Sequence, residues 1–171
     1  MALVYLGIGA NLAPEQNISN GLQRLAQDVT LLRLSPCYRS PAIGFDGPDF
    51  INLVAEVRTD KSVGELSASL KTLEQEFGRS PDAVKYSSRA LDIDILMVDE
   101  LTGVVDSIEL PRADIWRFAF VLRPLLDLLP DGECPLHKQP LTHYLPAVSS
   151  QALSVCQGDW LVLPDGLLKA D

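Results

Sequence analysis

Arg89-Ala90-Leu91-Asp92-Ile93-Asp94-Ile95-Leu96 sets two carboxylates two residues apart inside an apolar run, with an arginine three residues before the first. A run this rich in Leu, Ile, Met and Val reads as a buried strand. Alternate side chains of a strand share a face, so Asp92 and Asp94 point the same way, roughly 6–7 Å apart along the backbone. Two like charges buried side by side are costly unless something neutralises them. A divalent cation does so, and hard oxygen donors suit magnesium. Two solvated aspartates, or aspartates paired with nearby arginines, fit the same spacing.

The rest of the chain supplies partners for that strand. Residues 2–8 are apolar and β-prone, and Gly7-Ile8-Gly9-Ala10-Asn11 reads as the exit from a first strand. Pro14 opens a helix to about residue 28, with Ile18, Leu22 and Leu25 at helical spacing. A second strand is expected over residues 29–34 and a third over 50–58. Between them, residues 35–49 hold three prolines and two glycines, a density that predicts a long functional loop with no regular element. Residues 62–77 form a second amphipathic helix, with Ser62 as N-cap, Glu65 three residues on and Gly78 as stop. Residues 79–88 are a polar loop, and the aspartate strand runs from 91 to 98. The order is β-α-β-β-α-β, which predicts an α+β, ferredoxin-like core. A strand or hairpin follows over residues 99–110, and a short strand or helix over 118–129. The tail after Pro130 has no readable pattern; it is expected to pack on a single domain spanning the chain.

Composition narrows the partners. With 171 residues and 47 % hydrophobic content the chain can build one real core. A net charge of −9 argues against nucleic acid, since phosphate backbones demand basic surface. No apolar run reaches the ~18 residues that span a bilayer, so no membrane partner is expected. The start lacks the basic stretch of a signal peptide. Three scattered cysteines, Cys37, Cys134 and Cys156, fit a reducing cytoplasm. Cys134, His137 and His143 lack the regular spacing of a metal centre. A monomer is expected.

Four clusters lie at loops or strand ends, where sites are built. Tyr38-Arg39-Ser40-Pro41-Ala42-Ile43-Gly44 joins Pro48-Asp49-Phe50-Ile51-Asn52. Asn52 offers a donor and an acceptor, and Phe50, two residues earlier, a stacking surface; an ordinary connection with a core Phe is the other reading. Glu74 and Arg79 flank Gly78. Lys85, Tyr86 and Arg89 lead into the aspartates, where they suit a phosphate chain and metal, or simple ion pairs. Last comes Arg112-Ala113-Asp114-Ile115-Trp116-Arg117-Phe118-Ala119-Phe120, whose aromatics are more often core than ligand stackers.

Taken together, GIGANL, YRSPAIG, PDFIN, LEQEFGR, RALDIDIL and LPRADIWRFAFVLRPL resemble the 6-hydroxymethyl-7,8-dihydropterin pyrophosphokinase family over roughly residues 3–130. The resemblance implies a layered α/β/α sandwich around the ferredoxin-like core, and transfer of pyrophosphate from ATP to a pterin hydroxymethyl group with release of AMP. It implies that Asp92 and Asp94 hold two magnesium ions. Phe50 and Phe120 would sandwich the pterin, whose amide edge would meet Asn52, Ser40 and the backbone near Ile43. Glu74, Arg79, Lys85, Tyr86 and Arg89 would lie near ATP, with Arg79 and Arg89 catalytic, and Arg112 and Arg117 beside them. Lys85 and Tyr86 stand where the family often carries arginine and tryptophan, and Pro81 where it carries a loop arginine. Arg112 replaces a histidine. Phe118 replaces an arginine that Arg117 offers one position early, a shift of ~100° on a helix. A divergent enzyme acting on a modified pterin, and a nucleotide-binding module without chemistry, are the alternatives.

Overall fold

The computed structural model describes residues 1–79, 82 and 85–169. The elements follow as β1 (Ala2–Ala10), α1 (Pro14–Leu25), β2 (Thr30–Leu34), β3 (Cys37–Ser40), β4 (Phe50–Thr59), α2 (Val63–Glu76) and β5 (Asp92–Val98). Then come β6 (Gly103–Val105), β7 (Ile108–Leu110), α3 (Asp114–Arg117), α4 (Ala119–Leu128), a 3-10 turn (Leu141–Tyr144), α5 (Leu145–Val148), β8 (Ser154–Cys156) and β9 (Leu168–Lys169).

The sheet runs β5-β1-β4-β2-β9. The first four strands are antiparallel neighbours, the ferredoxin-like order, and β9 lies parallel beside β2. Period-two burial along β1 divides the core. Val4, Leu6, Ile8 and Ala10 point to one face, where Ile18, Leu22 and Leu25 of α1 and Leu66, Leu70 and Leu73 of α2 cover them. Tyr5, Val54 and Leu96 point to the other, under Val121, Leu122 and Leu125 of α4. Three layers result, with β5 as an edge strand. Arg33 pins the far end of α4: its Nη2 donates to Glu56 Oε2 at 2.8 Å and to the Leu128 carbonyl at 3.1 Å.

The caps follow the local sequence. The Ser62 hydroxyl accepts the Glu65 N–H at 3.1 Å, satisfying a donor at the N-terminus of α2. After α2, Gly78 takes φ +99°, a left-handed turn that glycine adopts without a Cβ clash.

Residues 35–49 depart from the expected unbroken loop. β3 lies inside them, pairing with the start of β4 (Tyr38↔Asn52, Ser40↔Phe50) and on its other edge with β8 (Cys37↔Cys156). Prolines 36 and 41 bracket this strand rather than interrupt it. Ser35 carries the sheet across the break: its N–H donates to the Val54 carbonyl at 2.9 Å and its Oγ accepts the Val54 N–H at 2.8 Å. Proline counts do not reveal such a strand, because its hydrogen bonds belong to β4. Gly7 and Gly9 likewise lie within β1 rather than at its exit. Residues 99–110 hold the β6–β7 hairpin, and residues 118–129 a helix. No helix of the described residues is long and apolar enough to cross a membrane.

Candidate active site

On the α4 face of the sheet, β1 presents glycine at alternate positions. Gly7 pairs with Asp94 and with Val54, Gly9 with Asp92 and with Asn52. Two glycines in register remove side chains from the middle strand and leave a floor between the aspartates and Asn52. An ideal Cβ on Gly9 would stand 2.9 Å from Asn52 Oδ1 and 3.8 Å from the Phe50 ring. Above that floor opens a cleft of 630 Å³, which reaches a second lobe of 440 Å³ around the β5 edge.

One wall is aromatic and amide-rich. Asn52 and Ser40 are buried, and Asn52 Nδ2 donates to Ser40 Oγ at 2.8 Å, which orients the amide and leaves Oδ1 toward Gly9. Phe50 stands edge-on to Phe45, with ring centroids 6.4 Å apart. Phe120 stacks on Phe118 at 5.0 Å and 22°. All four rings line the cleft, as does the exposed Ile43.

The opposite wall is charged. Glu74, buried at the end of α2, bonds the Arg79 guanidinium, which also donates to Asp92 Oδ1 at 3.2 Å. Arg112 donates its main-chain N–H to the Leu96 carbonyl at 2.8 Å, holding it beside β5. Its side chain bonds Asp114 at 2.8 Å and lies 3.8 Å from Asp94. Burial, and after it the charge of Asp92, push both Asp94 and Glu74 well above the usual carboxylate range. Arg89 is buried, and its guanidinium bonds Ser87 Oγ. Lys85 Nζ sits 5.0 Å from the Tyr86 ring centroid, a cation–π distance. Tyr86 holds φ +57° at the cleft mouth, a conformation that non-glycine residues adopt at a cost.

Every residue that the family resemblance assigned to the site lines one lobe or both. Ser40, Ile43, Phe50, Asn52, Lys85, Tyr86, Arg89, Asp92, Arg117 and Phe120 line the main cleft. Glu74 lines the second lobe, and Arg79, Asp94 and Arg112 line both. Pro81 lies outside the described residues. Of the sequence readings of the aspartates, the arginine pairing is present: Arg79 bonds Asp92, and Arg112 lies 3.8 Å from Asp94.

One expectation changes. The helical rotation argued for Arg117 does not apply, because Phe118 is extended (φ −130°, ψ 127°) and separates α3 from α4; both side chains reach the cleft. Trp116, Phe118 and Phe120 all pack half-buried against the core beneath α4, as the sequence suggested; the rings of Phe118 and Phe120 also line the cleft, whereas Trp116 packs on His137 and Tyr144. His137 Nδ1 contacts the Tyr144 hydroxyl at 2.8 Å, and Cys134 Sγ at 3.8 Å. Gly7, Gly9 and Phe45 line the cleft without having been given a site role, and so does Asp114, named only within the fourth cluster. Glycines two apart inside a β-prone run were the available signal for the first two, and the neighbouring Arg112 was the signal for Asp114; Phe45 left none.

The donor set, two carboxylates on one strand face, has the hard oxygen chemistry that suits a divalent cation. Asp92 and Asp94 could hold such ions. Fold and cleft together define an α+β, ferredoxin-like protein in which one cleft joins an aromatic wall to a charged wall.

Residues 5–130 match the 7,8-dihydro-6-hydroxymethylpterin-pyrophosphokinase (HPPK) family, and the chain belongs to it. It is 30 % identical over 148 residues to the 2-amino-4-hydroxy-6-hydroxymethyldihydropteridine pyrophosphokinase of Aquifex aeolicus, covering 85 % of this chain and 92 % of that one. With the Pseudomonas aeruginosa protein of the same name it shares 35 % over 136 residues, 77 % of this chain and 83 % of the other. A solved HPPK-DHPS structure in complex with substrates superposes with a TM-score of 0.62 at 13 % identity, over 85 % of this chain and 43 % of the longer one. At that identity the likeness speaks to the fold.

Proposed function

We propose that this chain transfers the pyrophosphate of ATP to the hydroxymethyl oxygen of 6-hydroxymethyl-7,8-dihydropterin, yielding the pterin diphosphate and AMP, a step of folate biosynthesis. The observation that carries this is the continuity of the cleft. An amide-and-aromatic slot for a flat bicycle opens without a partition onto paired carboxylates ringed by cations. Family membership supports the reading.

In this reaction the hydroxyl oxygen forms a bond to the β-phosphorus, the bond from that phosphorus to the α,β-bridging oxygen breaks, and the hydroxyl proton leaves. Phosphoryl transfer leans on positioning and charge neutralisation more than on covalent chemistry. Phe50 and Phe120 hold the ring faces, while Asn52 Oδ1 and Ser40 Oγ read the polar edge. Arg79, Arg89, Arg112 and Arg117, with Lys85, meet the triphosphate. Tyr86 at the mouth limits water access. Glu74 keeps Arg79 aimed at the Asp92 side. Asp92 and Asp94 would hold two magnesium ions, which when bound neutralise phosphate charge and stabilise the attacking and leaving oxygens.

The test follows AMP and ADP by chromatography from ATP, with and without the pterin, for the native chain and Asp94→Ala. Pterin-dependent AMP without ADP is expected, with turnover nearly abolished by Asp94→Ala. ADP as product, or wild-type turnover from the variant, would overturn the assignment.

A further inference from the structure

Asn11 touches neither lobe of the cleft, yet it is 2 % exposed and its polar atoms are engaged on both sides of the site. It follows β1 directly. Nδ2 donates to the Pro48 carbonyl at 3.1 Å and to Ser88 Oγ at 3.2 Å. Oδ1 accepts the Arg89 N–H at 2.7 Å, and its own main-chain N–H donates to the Arg89 carbonyl at 3.0 Å. Pro48 belongs to the loop that delivers Phe45 and Phe50 to the aromatic wall. Ser88 and Arg89 belong to the segment that delivers Lys85, Tyr86 and the Arg89 guanidinium to the charged wall.

The two segments also meet directly. A Cβ on Gly44 would lie 3.5 Å from Tyr86 Cβ, and one on Gly47 would lie 3.3 Å from Ser88 Oγ. These are van der Waals approaches without direction. The Asn11 amide adds directed bonds from a rigid strand end, and buried polar groups that lose such a partner remain unsatisfied.

We propose that Asn11 is a positioning residue for both substrates, tying the pterin-side loop (residues 41–49) to the arginine-bearing segment (residues 85–89) so that the two walls keep one register across the cleft. The inference rests on the pyrophosphokinase reading above. In-line transfer requires the hydroxymethyl oxygen to be held about 3–3.5 Å from the β-phosphorus, and a misplacement of about 1 Å costs roughly 10²-fold in rate. A single amide anchoring both walls therefore affects both substrates, unlike a residue that supports one wall.

Three variants separate the bonds. Asn11→Ala removes all three side-chain bonds. Asn11→Asp keeps an acceptor for the Arg89 N–H and can accept from the Ser88 hydroxyl, but turns an oxygen toward the Pro48 carbonyl, cutting the pterin-side bond. Ser88→Ala removes one charged-side bond and leaves the other two. Steady-state kcat and both KM values are measured well below each variant's thermal midpoint. Asn11→Ala is expected to raise both KM values and to lower kcat by roughly 10²-fold. Asn11→Asp should raise the pterin KM and lower kcat with the ATP KM near wild type, and Ser88→Ala should raise the ATP KM alone. A merely structural Asn11 would scale Vmax with the folded fraction and leave every KM unchanged, which overturns the proposal. Should Asn11→Ala not fold, the opposite selectivities of Asn11→Asp and Ser88→Ala decide, and equal effects of both on the two KM values overturn it. A wild-type chain without pterin-dependent AMP formation would overturn the pyrophosphokinase reading, and this inference with it.

Discussion

Gly9 and Asn52 stand in register across β1 and β4, and Asn52 Oδ1 occupies the edge of the space that a Cβ on Gly9 would need, 2.9 Å away. Gly9→Ala pushes the amide off its bond to Ser40 and narrows the floor. The expected cost is about 1–3 kcal/mol of stability, typical of overpacking, with a pterin KM raised at least several-fold and an ATP KM close to wild type. Chemical denaturation and steady-state kinetics check both. An unchanged pterin KM would show that the floor does not position that substrate.

Asp92→Asn and Asp94→Asn keep side-chain shape and remove charge. Each is expected to lower kcat by roughly 10²–10³-fold, the usual scale for losing one preorganised electrostatic contact. Each should also diminish the rise in thermal midpoint that magnesium confers on the native chain. Scanning calorimetry with and without magnesium reads the second effect independently of turnover.

Metal-free protein should lose stability with rising pH. The folded state holds Asp94 at about 7 and Glu74 at about 8, against ordinary values of 3.8 and 4.5, chiefly through burial and then through Asp92. The native state therefore binds protons that the unfolded chain has already released, so this stability is complete at about pH 4 and is lost as pH climbs through 7 and 8. Urea midpoints in chelator-treated buffer should fall between about pH 5 and 8. Asp94→Asn should flatten the slope. A midpoint that rises across that window would contradict the arrangement.

Phe120→Ala removes one face of the aromatic slot and the stacking partner of Phe118. A lost aromatic pair costs about 0.5–1.5 kcal/mol beyond the area it buried, which corresponds to a pterin KM raised roughly 2- to 10-fold. ATP affinity, measured by titration with a non-hydrolysable analogue, should hold. Equal losses for both ligands would place Phe120 in the framework rather than the slot.

Periodic segments were legible in the sequence because their patterns are local. Ser62 and Glu65 announce the start of α2, and Asp92-Ile93-Asp94 declares its shared face wherever the strand lies. Helix ends, a buried edge and two same-face carboxylates follow from spacings of two to four residues. The family resemblance carried the site residues further than spacing could, and the described ones lie together.

Tertiary structure decided the rest. β3 exists because the edge of β4 supplies its hydrogen bonds, and no count of prolines in residues 35–49 could contain that fact. Phe118 faces the cleft because the chain is extended between α3 and α4. Asn11 joins Pro48 to Ser88, residues 40 positions apart, through one amide. The carboxylate pair itself was readable as a pattern along one strand. Its meeting with Asn52 across a glycine floor depends on the register of three strands, which forms only when the whole sheet does.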